Sequence, residues 1–187
     1  MPRMLATAAL ATALALPALA LPALAPAAAQ QAPQREADLV RADGTPAGTA
    51  LFVQTPEGLL IRARLENLPP GLHGFHIHET GACAPDFAAA GGHYDPAGAG
   101  HGYRNPEGFH AGDLPNLFVR EDGTTSTDVF ATWLTLGGSG KDAPPYPLAD
   151  GDGAALVVHA VGDDYRAAPP GSTGARIACG VIAPPDT

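Results

Sequence analysis

The segment LLIRARL, residues 59–65, decides the fold class of this chain. Its positions 61, 63 and 65 are apolar and are separated by Arg62 and Arg64. Side chains of a strand point alternately to its two faces, so a two-residue period is typical of a strand with one face buried. The segment therefore predicts a half-buried β-strand.

Seven similar runs, rich in Val, Leu, Ile, Phe and Thr, lie on either side of this segment. Turn residues such as Asp43-Gly44 and Asp122-Gly123 separate them. The eight runs cover residues 36–41, 48–54, 59–66, 74–79, 117–121, 127–136, 154–159 and 176–182. No stretch after residue 29 offers a capped, amphipathic segment of helical length. The pattern predicts an all-β fold, a sandwich or a Greek-key barrel of about eight strands.

Two connections are too long for simple turns. Residues 80–116 are rich in Gly, Pro and His, and residues 160–175 are rich in Gly, Pro and Asp and contain no lysine. Loops of this length in a domain are usually functional or disordered. We expect the chemistry of the protein to lie there.

The N-terminal residues 1–29 are typical of a secretory signal peptide. Arg3 precedes an Ala/Leu run, and the small residues at 27–29 form a cleavage pattern before Gln30. An uncleaved membrane anchor is the alternative, but three prolines interrupt the apolar run. We expect cleavage before Gln30, a flexible tail over 30–35 and one domain over 36–187, with no membrane attachment after cleavage.

Charge and cysteine content narrow the function further. The formal net charge is −9, and the leader contributes only a positive charge, so the mature chain is more acidic still. This charge argues against nucleic acid or an anionic membrane surface as a partner. Cys83 and Cys179 are the two cysteines, and an even count in an exported domain suggests one disulfide. Two buried free thiols are the alternative.

Three histidines are predicted at strand ends. His76 and His78 flank one residue in GFHIHE, and side chains at i and i+2 of a strand share a face. His159 ends the run AALVVH and could join that face. His73 lies at odd spacing from His76, so we expect a packing residue there. His-x-His alone is a weak signal of a metal site, because surface or packing histidines show it as often.

The loop after His78 carries three more histidines and an aspartate in the order H-x7-H-x8-H-x2-D: His93, His101, His110 and Asp113. Three imidazoles and one carboxylate form the ligand set of a closed tetrahedral zinc site. Glycines and prolines between them allow the backbone to fold back sharply. A solvated histidine-rich loop is the alternative.

Five stretches, GFHIHETGAC, GGHYDP, HGYRNPEGFHAGD, LVVHAVGDD and GARIACGVI, resemble the copper/zinc superoxide dismutases of the periplasmic bacterial type. The similarity runs from about residue 37 to residue 182. It implies an eight-stranded Greek-key β-barrel, in agreement with the strand count, with the two long loops as the functional ones.

The resemblance also implies a role for each site residue. Copper would be held by His76, His78, His93 and His159. Zinc would be held by His93, His101, His110 and Asp113. His93 would bridge the two ions, Asp163 would link a copper histidine to a zinc histidine, and Arg176 would sit beside copper. Cys83 and Cys179 would form the disulfide.

The activity implied by the resemblance is the conversion of two superoxide anions and two protons to dioxygen and hydrogen peroxide, with copper cycling between Cu(II) and Cu(I). His93 would take up and release a proton, and Arg176 would attract superoxide. The expected location is the periplasm. A dismutase-like copper/zinc-binding protein without turnover is the alternative, and pairing into a homodimer is left open.

Overall fold

The computed structural model describes residues 32–138, 144–166 and 173–186. These contain one 3₁₀ turn, Phe87–Ala90, and eleven strands: β1 (Gln34–Arg41), β2 (Pro46–Thr55), β3 (Gly58–Leu65), β4 (Gly71–His73), β5 (Phe75–His78), β6 (Leu117–Val119), β7 (Thr125–Ala131), β8 (Leu134–Thr135), β9 (Tyr146–Pro147), β10 (Ala154–His159) and β11 (Arg176–Ala183). The all-β prediction is confirmed. The described residues form no helix that is long and apolar enough to cross a membrane. The leader over 1–29 and part of the 160–175 loop lie outside the described residues.

Seven strands form one curled antiparallel sheet in the order β5-β10-β11-β1-β2-β3-β7. Short turns join β1 to β2 and β2 to β3. β11, near the end of the chain, lies beside β1. The order β11-β1-β2-β3 is the Greek-key pattern. Two small sheets, β4 with β6 and β8 with β9, complete the described structure.

The strand count differs from the prediction because three short strands were not predicted as separate strands. The predicted run 127–136 divides into β7 and β8, and β4 and β9 were not predicted. β4 has three residues, and β8 and β9 have two each. A strand of two or three residues shows too little of the two-residue period to be recognised by itself. β6 also has three residues, but it lies in the longer predicted run 117–121.

β3 shows the predicted alternation of burial. Leu59, Ile61 and Ala63 are fully buried in the core, whereas Arg62 and Arg64 are exposed. Complete burial of a Leu or Ile side chain stabilises the fold by about 1.5–3 kcal/mol. The hydrophobic residues of this one strand therefore contribute substantially to the core on which the sheet closes.

The edge strand β5 is buried along its whole length because the 80–116 loop folds back against it. Backbone hydrogen bonds join Ile77 N to Gly112 O (2.8 Å) and Tyr94 N to Ile77 O (2.9 Å). Gly112 permits this approach, since a Cβ at its position would lie 2.2 Å from the Ile77 carbonyl oxygen. The loop thus takes the place of a further strand and brings its own side chains beside those of β5.

A disulfide between Cys83 and Cys179 ties the start of this loop to β11, with the two Cα atoms 5.9 Å apart. The expected disulfide is confirmed, and the alternative of two free thiols is wrong. The crosslink joins residues that are 96 positions apart in the sequence. In the chain-entropy model it lowers the entropy of the unfolded chain and so stabilises the fold by about 4–5 kcal/mol.

Candidate metal centre

Six of the seven histidines converge where β5, β10 and the 80–116 loop meet. All six are buried. They form two adjacent groups that share one residue. The four-histidine group comprises His76, His78, His93 and His159, and the Asp113 group comprises His93, His101, His110 and Asp113.

In the four-histidine group, one ligand atom of each residue lies within 4.8 Å of the others. Nε2 of His78 and Nε2 of His159 are 3.3 Å apart. Nδ1 of His76 is buried and has no hydrogen-bond partner among the described residues. A buried polar atom without a partner is costly, and a metal ion at the centre of the group would accept the lone pairs of all four nitrogen atoms. The group therefore has the donor set of a metal ion that prefers imidazole.

The opposite ring nitrogens of these residues are hydrogen-bonded to the protein. His76 Nε2 lies 2.9 Å from Asp163 Oδ2, and His78 Nδ1 lies 3.0 Å from the Gly91 carbonyl oxygen. An acceptor at one ring nitrogen places the proton there and leaves a lone pair on the other nitrogen. These contacts therefore fix the tautomers that a metal ion requires.

Burial keeps the rings of His78, His93 and His159 neutral. Desolvation, followed by the repulsion of neighbouring imidazoles, lowers the pKa of His78 to about 2. The same two causes lower the pKa of His159 to about 3. Desolvation lowers the pKa of His93 to about 4, against the opposing hydrogen bond to Asp113. Neutral imidazole is the form that binds metals, so these side chains are ready ligands at neutral pH.

The Asp113 group surrounds a single carboxylate oxygen. Oδ1 of Asp113 lies 3.0 Å from Nδ1 of His93, 3.1 Å from Nδ1 of His101 and 3.4 Å from Nδ1 of His110. The other oxygen, Oδ2, accepts hydrogen bonds from the backbone N–H groups of Gly102 (2.8 Å) and His110 (3.1 Å). Three imidazole nitrogens around one carboxylate oxygen form the donor set of a tetrahedral zinc site.

Mutual distance alone would place His76, rather than His110, beside His93, His101 and Asp113. The hydrogen bonds favour His110, because its Nδ1 lies 3.4 Å from both Asp113 Oδ1 and His93 Nδ1. Nε2 of His76 is already engaged by Asp163. We therefore assign His76 to the four-histidine group alone.

Hydrogen bonds determine the charge states of Asp113 and His101. Burial raises the pKa of Asp113, but hydrogen bonds from His101, His110 and His93 outweigh it and hold this pKa far below its usual range. Burial lowers the pKa of His101, but hydrogen bonds to Asp113 and Asp163 outweigh it and raise this pKa to about 9. A cation that binds here takes the place of the His101 proton, so metal binding releases a proton.

Asp163 links the two groups. Its Oδ2 lies 2.9 Å from His76 Nε2, and its Oδ1 lies 3.1 Å from His101 Nε2. Asn116 holds the backbone of Asp163 on both sides: Nδ2 donates to the Asp163 carbonyl (2.9 Å), and the Asp163 N–H donates to Oδ1 (2.8 Å). Asn116 was not predicted as a site residue, because no local sequence pattern indicates a side chain that connects two loops.

Arg176 lies beside the four-histidine group. Its guanidinium donates to the carbonyl oxygen of Phe87 and, at 2.6 Å, to that of Gly91. The Gly91 carbonyl also faces Nδ1 of His78 (3.0 Å), so this oxygen connects the arginine to a candidate ligand. The arrangement leaves a positive charge next to the group.

His73 stands apart from both groups. Its ring nitrogens each lie 2.8 Å from a backbone carbonyl oxygen, Nδ1 from that of His159 and Nε2 from that of Pro69. It ties the turn before β4 to the end of β10, in line with the packing role expected from its spacing.

Comparison with known proteins identifies this arrangement. The sequence profile of the copper/zinc superoxide dismutases matches residues 46–182. The chain belongs to the copper/zinc superoxide dismutase family. This is an oxidoreductase family that binds copper and zinc. The orphaned His76 nitrogen and the two donor sets fit these two ions.

Three family members illustrate the similarity. Superoxide dismutase [Cu-Zn] 1 of Aquifex aeolicus is 43% identical over 148 residues, which cover 78% of this chain and 85% of that protein. The crystal structure of a SOD-like protein from Bacillus subtilis has a TM-score of 0.73 at 39% identity and covers 79% of this chain and 97% of its own. The Cu/Zn superoxide dismutase from Brucella abortus has a TM-score of 0.63 at 36% identity, and the match covers 80% of this chain and 99% of that protein.

Proposed function

We propose that this protein is a periplasmic superoxide dismutase that converts two superoxide anions and two protons to dioxygen and hydrogen peroxide. The observation that carries the proposal is the pair of adjacent donor sets joined by His93, with His76 Nδ1 buried and without a partner in the described part of the chain. Membership of the copper/zinc superoxide dismutase family supports it.

The metal assignment follows from the chemistry of the donors. We assign copper to the four nitrogen donors of the four-histidine group and zinc to the Asp113 group, which includes a carboxylate. Imidazole suits both ions, whereas a hard carboxylate suits zinc better than a copper ion that changes its oxidation state. His93 belongs to both groups, so we assign it as the bridge between the ions.

Copper, when bound, supplies the one-electron oxidation and reduction that dismutation requires. His93 holds a transferable proton in this scheme. Its Nδ1 is anchored 3.0 Å from Asp113 Oδ1, so proton uptake and release fall to Nε2. Asp113 and the zinc site keep the ring oriented throughout.

Arg176 binds the substrate. Superoxide is a small anion, and the guanidinium is fixed beside the four-histidine group by the carbonyl oxygens of Phe87 and Gly91. Because a guanidinium remains charged at all physiological pH values, it attracts and orients the anion without needing a partner base. The chain is acidic overall, so this attraction is local.

The leader and the disulfide support export. We propose that residues 1–29 are removed and that the mature protein works in the periplasm, unattached to the membrane. The expected tail over 30–35 is too long by two residues and the domain begins before residue 36, because Gln34 and Arg35 belong to β1. The Cys83–Cys179 disulfide suits an oxidising compartment. An intact Met1 in the mass spectrum of the native protein would contradict cleavage, and light scattering would tell a monomer from a homodimer.

One assay separates this function from its alternative. The exported protein, loaded with copper and zinc, should consume superoxide, and a copper chelator should abolish the activity. A dismutase-like metal-binding protein without turnover would bind both ions and leave superoxide untouched. The similarity to a SOD-like protein of Bacillus subtilis is the reason to test this alternative.

A further inference from the structure

His159 has a polar neighbour on each side of its ring. Nε2 lies 3.3 Å from Nε2 of His78, inside the four-histidine group, and Nδ1 lies 3.1 Å from the hydroxyl oxygen Oγ1 of Thr173. The carbonyl oxygen of Gly174 is farther from Nδ1, at 3.4 Å. A nitrogen–oxygen distance of about 2.7–3.2 Å is normal for a hydrogen bond. The Thr173 hydroxyl is therefore the better acceptor for a proton on Nδ1.

The Thr173 hydroxyl lies at the outward-facing ring nitrogen of His159, as other acceptors do at the rings of His76 and His78. His76 faces the Asp163 carboxylate at 2.9 Å, and His78 faces the Gly91 carbonyl at 3.0 Å. Each acceptor meets the ring nitrogen that points away from the centre of the group. A hydroxyl can rotate, however, so it can orient a ring only if its own side chain is held.

The packing of Thr173 holds it in this way. The residue is buried, and its backbone carbonyl accepts a hydrogen bond from Val161 N (3.0 Å). Its methyl carbon Cγ2 lies where Gly74 has no side chain: a Cβ on Gly74 would be 2.8 Å from it. Threonine is branched at Cβ, so fixing the methyl group also fixes the direction of the hydroxyl. Gly74 thus leaves space for the rotamer that presents Oγ1 to His159.

We propose that Thr173 is a positioning residue for His159: its hydroxyl oxygen accepts a hydrogen bond from Nδ1–H and keeps the lone pair of Nε2 directed at the centre of the four-histidine group. The inference rests on the proposed assignment of copper to this group. Partners that orient a ligand in this way commonly change metal affinity by about 10- to 100-fold.

The test compares Thr173→Val, which replaces the hydroxyl by a methyl group of similar shape, with Thr173→Ser, which keeps the hydroxyl. Both are made in the full chain, and the exported protein is loaded with copper and zinc. Cu(II) affinity is measured by chelator competition and the ligand field by electron paramagnetic resonance. Thr173→Val should weaken Cu(II) binding about tenfold and alter the copper hyperfine splitting, with unchanged zinc content. Thr173→Ser should remain within about twofold of wild type.

Thr135→Val is the matched control. Thr135 is also buried, and its hydroxyl donates to Gln54 Oε1 (2.7 Å), but it lies in β8 and outside both metal groups. This variant should lose stability and keep wild-type copper binding. Thr173→Ala, which removes hydroxyl and methyl together, should weaken copper binding at least as much as Thr173→Val and serves in its place if that variant fails to fold.

Two outcomes would overturn the inference alone: wild-type affinity and spectrum in Thr173→Val, or an equal loss in Thr173→Ser, which would assign the effect to the methyl packing against Gly74. A wild-type protein whose Cu(II) spectrum shows no nitrogen ligands would instead refute the copper assignment and both proposals with it.

Discussion

The four-histidine group and the Asp113 group share His93 but are built from different parts of the fold. His76 and His78 lie in β5, and His159 ends β10, which pairs with β5 in the main sheet. All members of the Asp113 group lie within one irregular loop segment, residues 93–113. One group is carried mainly by strands and the other entirely by a loop.

The difference shows two ways of placing ligands. Strand ligands are positioned by a hydrogen-bonded ladder that belongs to the core. Ligands in a loop have no such ladder, so another group must hold them together. Asp113 does so by accepting hydrogen bonds from imidazoles at one oxygen and from backbone N–H groups at the other. We therefore expect the loop group to be the more sensitive of the two to changes in the loop and its anchors.

Loss of the disulfide should have the largest effect on stability. The double variant Cys83→Ser/Cys179→Ser releases the start of the loop from β11, and the chain-entropy model gives a loss of about 4–5 kcal/mol in the free energy of unfolding. Urea denaturation measures this loss, and metal analysis should show weaker zinc than copper retention. An unchanged denaturation midpoint would contradict the anchoring role.

Asp113→Ala should separate the two groups. The substitution leaves buried imidazoles and backbone N–H groups without their acceptor, so we expect a loss of about 3 kcal/mol in stability. Zinc should be released, while copper stays bound by His76, His78 and His159. Metal analysis and thermal melts measure both effects, and Asp128→Ala removes a surface carboxylate as a control. Equal loss of both metals, with an unchanged melting temperature of the apo-protein, would refute the assignment.

Gly112→Ala tests the contact through which the loop joins the strands. A Cβ there would lie 2.2 Å from the Ile77 carbonyl oxygen, so the loop must move away from β5. We expect a stability loss of about 2 kcal/mol, as for an overpacked core, and weaker binding of both metals. Gly151→Ala is the control, since a Cβ at Gly151 meets nothing within 4 Å. If Gly112→Ala melts like Gly151→Ala, the close contact does not constrain the loop.

Arg176→Ala should have the smallest effect in free energy. It should lower the rate of superoxide consumption and leave the binding of both metals unchanged. We expect the second-order rate to fall about tenfold, which corresponds to about 1.4 kcal/mol. Arg176→Glu should be worse, and Arg176→Lys should lie between wild type and alanine. Stopped-flow superoxide consumption measures these rates, with Arg62→Ala, at an exposed position of β3, as the control for net charge. The role of Arg176 is untenable if fully metallated Arg176→Glu matches wild type at low ionic strength.

Much of the fold could be predicted because its main strands are long enough to show their period. In β3 the alternation alone assigned Ile61 and Ala63 to the core and Arg62 to the surface. The short strands β4 and β9 were not predicted, and β8 was not separated from β7, because two or three residues show too little of the period. β6 is equally short, but it lies in a longer predicted run. For the metal centre, the residue types and their spacing indicated a strand pair, His76 and His78, and a separate loop set, whereas the sharing of His93 by both groups came from the family resemblance.

Local sequence patterns indicate which faces the strands bury, which side chains can bind metals and which cysteines can pair. Three features became visible only in the folded chain: the loop covers the edge of β5, Asn116 holds Asp163, and Thr173 faces His159. The physical reason is the separation along the chain: Asn116 and Asp163 are 47 residues apart, and His76 and Asp163 are 87 apart. Local periodicity reports only which way a side chain points. Hydrogen bonds between such distant residues exist only once the sheet has closed and brought the two loops together.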